Sequence, residues 1–326
     1  ATLQCEQDGC GKCVSCISVN NSTHPDVKVI TPQGLSYGID DTKVLVREAT
    51  LMPSLGQWNI IILEDADRLT TEAGNALLKA IEEPAKLTMW ILCAPSSKDV
   101  LITIRSRCRH LGLRTPSAKA VAKLLMERDL ISEELATFAA QASQGHIGVA
   151  RYLATDNQVR QDRLTTLKIP LMITDISSAY KAAQLLVDTA KARAEADAEV
   201  RDGSEIEKLK QAWGSTGSKL AAGGSKAVKE LEKEQKTRST RLVRDYLDRA
   251  LLDLATLYRD VMLVQAGVSE SLINSDLKTE ITKMADQIAE SKTLLKIQVI
   301  LKARTNLAHN AAPLLTIEAL MCELRR

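Results

Sequence analysis

The hydrophobic pattern of the chain is clearest where a short apolar run passes into an amphipathic stretch. The run Asn59–Leu63 ends on two adjacent carboxylates, Glu64 and Asp65. A strand without polar positions is typical of a parallel sheet that helices cover on both faces. Its acids lie at the carboxyl end, where such sheets place ligands. Apolar residues then recur at helical spacing over Ala73–Ile81 until Pro84, which ends the helix. The pattern predicts the Walker-B segment of a nucleotide-binding α/β fold.

Strand and helix patterns alternate on both sides of this segment. Their order predicts a mainly parallel sheet with right-handed crossovers. A helix from Asp99 to Cys108, which Ser97 would cap, precedes the last predicted strand. The predicted strands besides the central one are Val27–Ile30, Met89–Cys93 and His110–Leu113, and a further helix is predicted from Ile39 to Met52.

Beyond Thr115 and Pro116 the patterns are helical to the end of the chain. Short helices are predicted at about 117–129, 132–143 and 147–155. The segment Arg201–Arg241 differs, because it mixes glycine, serine and alternating charges with little apolar material. We predict an exposed insertion with patchy helix rather than core. Its basic residues are interleaved with acids, which favours a solvated surface over a nucleic-acid patch.

Composition narrows the class of protein without identifying a function. A chain of 326 residues is long enough for two or three domains, and an aromatic content of only 3% favours mostly helix with a small sheet. The formal net charge of +2 gives no argument for nucleic-acid binding. No apolar stretch reaches the roughly 18 residues that cross a bilayer, and no signal peptide is visible. We therefore expect a cytoplasmic protein with no membrane partner.

Four cysteines occur within twelve residues, at Cys5, Cys10, Cys13 and Cys16. In a reducing compartment, four thiols this close together are typical of a tetrahedral, structural Zn²⁺ site. The alternative is a set of unliganded or oxidised thiols. His24 is a fifth candidate ligand, but four cysteines already complete the site. A role in positioning the following loop is the better interpretation of His24.

The paired acids favour nucleotide binding over hydrolysis. A working Walker-B site has Asp for Mg²⁺ followed by Glu for the attacking water, whereas here Glu64 precedes Asp65. Asp65 would be about a methylene short of the water, and such a displacement can lower a rate by orders of magnitude. The phosphate-binding pattern G-x-x-x-x-G-K-S/T occurs nowhere in the chain. Either the chain is truncated or the protein lacks the loop. In both cases we expect no productive ATP binding by this polypeptide.

The triplet Ser106-Arg107-Cys108 is a second candidate site. An arginine at a helix end just before an outer strand can reach a neighbouring subunit's γ-phosphate and stabilise transition-state charge. The alternative is that Arg107 pairs with local acids or caps helix carbonyls. Arg105 and Arg109 flank it, so the sequence leaves open which arginine projects. No Ser/His/Asp or Cys/His nucleophile set is evident.

Together these motifs resemble the bacterial sliding-clamp loader subunits of DNA polymerase III, which are AAA+ relatives. The resemblance rests on the cysteine spacing, His24-Pro25-Asp26, ILEDADRLTTEAGNALLKAIEEP and TIRSRCR, and it weakens after residue 155. It implies an α/β AAA+ parallel-sheet domain, amino-terminally truncated, over 1–115, with a zinc module at 5–16. A small helical lid at 116–156 and an all-α collar at 157–326 would follow, the latter with the charged insertion at about 201–241.

The resemblance also implies roles. Cys5, Cys10, Cys13 and Cys16 would bind zinc, and Arg107 would be an arginine finger acting in trans. Glu64 and Asp65 would be a degenerate Walker-B pair. The partners would be gamma/tau and delta subunits in a hetero-pentamer, with the sliding clamp and primed DNA reached through the complex.

Three departures from an active motor favour a non-hydrolysing stator. The phosphate loop is absent, the acid pair is reversed, and Pro95-Ser96 stands where a threonine sensor is expected. Such a chain would catalyse nothing alone, although it would be part of a DNA-directed DNA polymerase holoenzyme. The alternatives are a fragment of a gamma/tau-type ATPase and, more weakly, a zinc-containing nucleic-acid-binding protein.

Overall fold

The computed structural model describes residues 4–5, 9–32, 34–213, 215–216, 219–220, 224–268 and 272–325. The chain divides into two compact units, Ala1–Gly112 and Leu113–Arg326. Among the described residues, no helix combines the length and the apolar character needed to cross a membrane.

The first unit is a small parallel sheet with helices. The strand order is β1-β2-β3, with both pairs parallel, which confirms the predicted parallel sheet. Ile60 of the central strand is level with Val27 on one side and Met89 on the other. The elements are α1 (Val14–Asn20), β1 (Val27–Ile30), α2 (Ile39–Ala49), β2 (Asn59–Leu63), a 3-10 turn (Ala66–Arg68), α3 (Thr71–Glu82), β3 (Thr88–Leu92) and α4 (Ile102–Arg105).

The central strand lies in the core of this unit, as its apolar run predicts. Ile61 and Leu63 are fully buried and pack with Leu77 of α3 and Ile104 of α4. The predicted start of α3 is confirmed, because the Thr70 hydroxyl accepts a hydrogen bond from the backbone N–H of Ala73 at 3.2 Å. The acids Glu64 and Asp65 therefore follow a buried strand.

The predicted strand His110–Leu113 is wrong. Residues 109–117 have no regular structure, and Leu111 and Leu113 are 81% and 88% exposed. A four-residue strand persists only where a neighbouring strand offers its backbone groups, and among the described residues none pairs with this segment.

The predicted helix from Asp99 to Cys108 is wrong in its extent, since α4 covers only four residues. Leu101, just before it, has an extended backbone with ψ of 129°. Its side chain lies on Gly74 of α3, where an added Cβ would overlap the leucine Cδ1. This packing interrupts the helical pattern. The Ser97 cap is also absent: Ser96 accepts from the N–H of Lys98 instead, in a turn.

The second unit is almost entirely helical, as the patterns after Thr115 and Pro116 predict. The three short helices that begin it agree with the predicted ranges to within one residue at each end. Its elements are α5 (Ala118–Asp129), α6 (Glu133–Ala142), α7 (Ile147–Thr155), α8 (Asn157–Met172), α9 (Ile176–Trp213), β4 (Ser215–Thr216), β5 (Lys219–Leu220), α10 (Gly224–Gln265), a 3-10 turn (Ser275–Leu277), α11 (Lys278–Gln287), α12 (Glu290–Ala308) and α13 (Pro313–Leu324).

Two apolar clusters hold this unit together. A small alanine-rich cluster joins α5, α6 and α7, and a larger one joins α8 to α13. Beside the larger cluster, Arg163 is 5% exposed and lies 3.3 Å from Asp253, while its second nitrogen donates to Asn274 at 2.5 Å. Buried charges are tolerated only when paired in this way. The division of the unit into a lid at 116–156 and a collar at 157–326 stays a prediction.

The prediction of patchy helix over Arg201–Arg241 is wrong for the residues that the structure describes. Two long helices, α9 and α10, run through most of it, and Gly203 is helical, with open space where a Cβ would lie. Polar contacts join the two helices here: Arg238 pairs with Glu205, and the buried Gln235 donates to the carbonyl of Asp202 at 3.1 Å. Several of the segment's glycines lie outside the described residues.

Candidate metal centre and arginine site

The four cysteines come together at one point of the first unit. The Sγ atoms of Cys5, Cys10, Cys13 and Cys16 all lie within 4.8 Å of one another. The Cys5–Cys13 and Cys10–Cys16 sulfur pairs are 3.8 and 4.0 Å apart. A tetrahedral zinc ion with Zn–S bonds of about 2.3 Å places its sulfurs about 3.8 Å apart. The spacing of the thiols therefore fits such an ion.

The backbone of the cysteine segment is arranged to favour thiolates. The N–H groups of Lys12 and Cys13 point at the Cys10 sulfur, at 3.5 and 3.3 Å, and these two hydrogen bonds lower the pKa of Cys10. Cys16 differs. A backbone hydrogen bond from Gly11 favours its thiolate, but burial and the three neighbouring thiols outweigh it and raise the pKa to about 12. Four thiolates at this separation repel one another, so the cluster is suited to a bound cation.

His24 is not part of the cluster, as predicted. It is 5% exposed, and its Nδ1 accepts a hydrogen bond from the N–H of Asp26 at 3.1 Å. The ring thus positions the loop that enters β1.

Gln4, which precedes the first cysteine, ties the cysteine segment to the sheet. Its side-chain oxygen accepts from the N–H of Gln57 at 2.8 Å, and its Nε2 donates to the carbonyl of Trp58 at 2.5 Å. An added Cβ on Gly56 would overlap this side chain, so glycine at this position leaves room for the Gln4 amide. Sequence reasoning missed Gln4, because its partners lie more than fifty residues away.

Asp26 organises the other side of the same loop. Its carboxylate accepts hydrogen bonds from the N–H groups of Ser54, Leu55 and Gly56, at 2.6 to 2.8 Å, and from the Ser54 hydroxyl at 2.8 Å. Burial alone would raise the pKa of Asp26, but these four hydrogen bonds outweigh burial and lower it to about 2. The charged form therefore stabilises the fold.

Acid should weaken the first unit through Asp26. A lowered folded-state pKa contributes stability that is present above the ordinary value of 3.8 and is lost as pH falls towards about 2. The difference corresponds to about 2 kcal/mol in the free energy of unfolding. Urea unfolding of the chain and of Asp26→Asn, at pH 5 and pH 2.5, should give curves that lie closer together at the lower pH.

Asp40→Asn is the matched control for this measurement, because the Asp40 carboxylate is 91% exposed and pairs with Lys43, which is itself exposed. It should follow the wild-type pH dependence. An Asp26→Asn variant with an unchanged difference from wild type at both pH values would contradict the assignment.

The acid pair stands at the end of β2 in a special backbone conformation. Glu64 is exposed, and Asp65 has φ of 49°, in the left-handed region that non-glycine residues rarely adopt. Asp65 lies 3.8 Å from Arg68. Strained backbone of this kind often lies at functional sites. Nearby, burial, with a contribution from the charge of Asp65, raises the pKa of Asp67.

Arg107 follows α4 and is held within its own unit. Its Nε lies 2.7 Å from the carboxylate of Glu82 at the end of α3, and its guanidinium donates to the carbonyl of Thr103 at 2.9 Å. The two side chains of the pair are 34% and 50% exposed, so water screens the attraction and the pair is weak. In this structure Arg107 therefore pairs with a local acid and a helix carbonyl, which is the alternative to a finger. The ion pair with Glu82 is weak enough for another anion to replace the carboxylate.

The flanking arginines differ from Arg107. Arg105 donates to the carbonyl of Ser97 at 3.1 Å, and Arg109 is on the exposed segment after α4. The structure thus brings the cysteines together, whereas Arg107 meets Glu82 rather than the acids of β2. Sequence reasoning missed Glu82, although it lies in the same AIEEP motif that carries the resemblance.

Comparisons with known proteins point to subunits of DNA polymerase III. Residues 1–117 match the family described as DNA polymerase III, delta subunit. The subunit delta' of Bacillus subtilis is 25% identical over 301 residues, which cover 92% of this chain and 76% of that protein. The subunit delta' of Haemophilus influenzae is 32% identical over 126 residues, or 38% of each chain. The gamma/tau subunit of Mycobacterium bovis is 33% identical over 129 residues, 38% of this chain and 22% of that protein.

These matches confirm the resemblance found in the sequence. The chain is similar to subunits of bacterial DNA polymerase III. More particularly, the similarity that extends over most of its length is to a delta-prime subunit.

Proposed function

We propose that the chain is a non-hydrolysing stator subunit of a DNA polymerase III clamp loader. In this role it supports loading of the sliding clamp onto primed DNA and presents Arg107 to the nucleotide of a neighbouring ATPase subunit. Its partners are gamma/tau and delta subunits in a hetero-pentamer. The four cysteines hold one structural zinc ion, and the chain itself does not bind ATP productively.

One observation carries this proposal: the delta-prime similarity extends through both compact units. It covers 92% of the chain, whereas the gamma/tau similarity covers 38%. The helical second unit therefore has a counterpart in a delta-prime protein. The reversed Glu64-Asp65 order supports the same choice, because a hydrolysing site needs its carboxylates at defined distances from metal and water.

The surroundings of Arg107 are consistent with a finger. Its guanidinium is planar and permanently charged, which suits a bidentate contact with phosphate oxygens. The Glu82 contact is partly exposed, so exchanging it for a phosphate costs little. Glu82 thereby holds the arginine at the surface until a neighbour's nucleotide replaces the carboxylate.

The second candidate is an ATPase of the gamma/tau type. It is supported by the 33% identity to the Mycobacterium bovis gamma/tau subunit over 129 residues, which is similar to the 32% identity to the Haemophilus influenzae delta' subunit over 126 residues. ATP turnover by the isolated chain would decide for this candidate, whereas a place beside gamma/tau and delta subunits in one complex would decide for the stator.

Purified alone, the chain should turn over no ATP above background, because it has no G-x-x-x-x-G-K-S/T phosphate loop. A coupled phosphate-release assay measures this directly. Native mass spectrometry of the chain mixed with gamma/tau and delta subunits should give a hetero-pentamer. Appreciable turnover by the isolated chain, or failure to join the complex, would contradict the stator proposal.

A further inference from the structure

The first half of α10 gathers four lysines on one face of the helix. Lys226, Lys229, Lys233 and Lys236 are all exposed, and at about 100° per residue they fall within an arc of about 80°. In the sequence the same lysines alternate with acids, but the helix separates the two charges. The acids lie outside the arc. Glu230 and Glu234 are on one flank, and Glu232 is on the other.

The opposite face of this helix is fixed against α9, so the lysine face points away from it. Gln235 is 6% exposed and donates to Glu205 at 3.2 Å, and Arg238 pairs with the same carboxylate. Val228 and Leu231 are half-buried on that side. The orientation of the lysines is thus set by contacts on the far side of the helix.

We propose that this lysine face binds the phosphate backbone of nucleic acid. Ten residues of helix separate Lys226 from Lys236, a span of about 15 Å. That length matches four to five nucleotides of a strand that rises about 3.4 Å per phosphate. The Cβ atoms of neighbouring lysines on this face are about 5 to 6 Å apart. Their flexible ammonium groups suit contacts with phosphates, which carry no sequence information.

The chemistry of this face favours nucleic acid over a protein or a membrane. No apolar side chain of residues 225–240 falls within the arc, whereas protein interfaces are enriched in aromatic residues and depleted of lysine. A membrane-surface helix needs an exposed apolar face, but here the apolar side packs towards α9. Residues 225–241 carry six basic and three acidic side chains, compared with a net charge of +2 for the whole chain.

The nearby acids do not cancel the lysine face. Lys226 approaches Glu230 at 3.9 Å, but their side chains are 83% and 65% exposed, so the pair is screened. Among the described residues, Lys229, Lys233 and Lys236 have no ion pair comparable to it. This surface is separate from the arginine finger, and the inference does not depend on that assignment.

The test uses the full chain and its Lys226→Gln, Lys229→Gln, Lys233→Gln, Lys236→Gln variant. Fluorescence anisotropy with a labelled duplex of arbitrary sequence gives affinity at several salt concentrations. Four phosphate contacts predict a slope of about −3.6 in log K against log salt, or roughly 100-fold weaker binding at 200 than at 50 mM salt. The variant should lose most of that slope, and a Lys229→Gln, Lys233→Gln double variant about half. Glutamine keeps the helix, because its propensity matches that of lysine.

The matched control removes four exposed lysines elsewhere in the same unit, Lys278, Lys283, Lys292 and Lys302. It has the same net charge and should retain the wild-type slope. Equal losses in the two variants would overturn the proposal, because net charge would then explain the binding. So would wild-type binding that is unaffected by salt, or lysine-dependent binding to polyglutamate or phosphatidylserine vesicles without binding to DNA.

Discussion

Removal of the proposed zinc ion should unfold the cysteine segment and leave the rest of the first unit folded. The helix α1 has a single buried residue, Cys16, while Val14 and Ile17 are 84% and 48% exposed. The segment therefore has almost no apolar core of its own. Structural zinc sites supply apparent binding free energies of about 10–16 kcal/mol, which is folding free energy when nothing else holds the segment.

Metal analysis of the purified chain should find about one zinc ion per chain, and a strong chelator should remove it. Hydrogen exchange should then accelerate at the amides of residues 10–20. It should also accelerate at Gln57, whose N–H is held by Gln4 next to the first cysteine. Protection at Gln57 is therefore a readout of the link between the metal and the sheet.

Cys10→Ser should reproduce the effect of the chelator, because it removes one of four ligands. Cys93→Ser is the control, since Cys93 is exposed at the end of β3 and lies outside the cluster. A metal-free chain whose segment keeps its protection would refute the zinc assignment. Equal effects of the two serine variants would refute it as well.

The features that the sequence predicts correctly are those encoded over short distances. Ligands separated by two or four residues converge when the chain makes one tight turn, so the cysteine spacing alone predicts the cluster. The apolar run Asn59–Leu63 is buried because a strand without polar positions has no face to turn towards water. Thr70 caps α3 because its hydroxyl needs only a backbone N–H three residues away.

The features that could not be predicted from the sequence depend on contacts between residues far apart in the chain. Leu111 and Leu113 follow the alternating pattern of a strand but are exposed. Whether such a segment forms a strand depends on a neighbouring strand that can hydrogen-bond to its backbone. The contact of Arg107 with Glu82 joins two motifs that are 25 residues apart, and no periodicity relates them. In α10, the alternating charges of the sequence predict a solvated surface of mixed charge. The helix instead places the lysines on one face and the acids beside it.

Replacing Arg107 with alanine should abolish most ATP hydrolysis at one site of the reconstituted complex. Arginine fingers contribute about 10³–10⁵-fold to kcat in other phosphate-transferring assemblies. The fold should tolerate the change, because the Arg107–Glu82 pair is partly exposed and such pairs contribute about 1 kcal/mol or less. The measurement is steady-state ATPase activity with the clamp and primed DNA present, together with the thermal unfolding of the isolated variant.

Arg109→Ala and Arg105→Ala are the matched controls, because they remove the same charge within two residues of Arg107. Both should retain the activity of the complex if Arg107 alone reaches the neighbour's nucleotide. Loss of activity in Arg109→Ala with normal activity in Arg107→Ala would move the finger to the flanking residue. Unchanged activity in all three variants would reject a finger in this segment.

Glu82→Gln separates a finger from a purely structural ion pair. The substitution removes the carboxylate charge at 2.7 Å from Arg107 while keeping nearly the same shape. If the arginine serves a neighbour's phosphate, weakening its local partner leaves it free to do so, and the ATPase rate should stay at or above the wild-type rate. If the arginine only braces α4 against α3, Glu82→Gln and Arg107→Ala should impair the complex to the same degree, because both break the same contact. The finger assignment therefore requires Arg107→Ala to lose ATPase activity while Glu82→Gln keeps it.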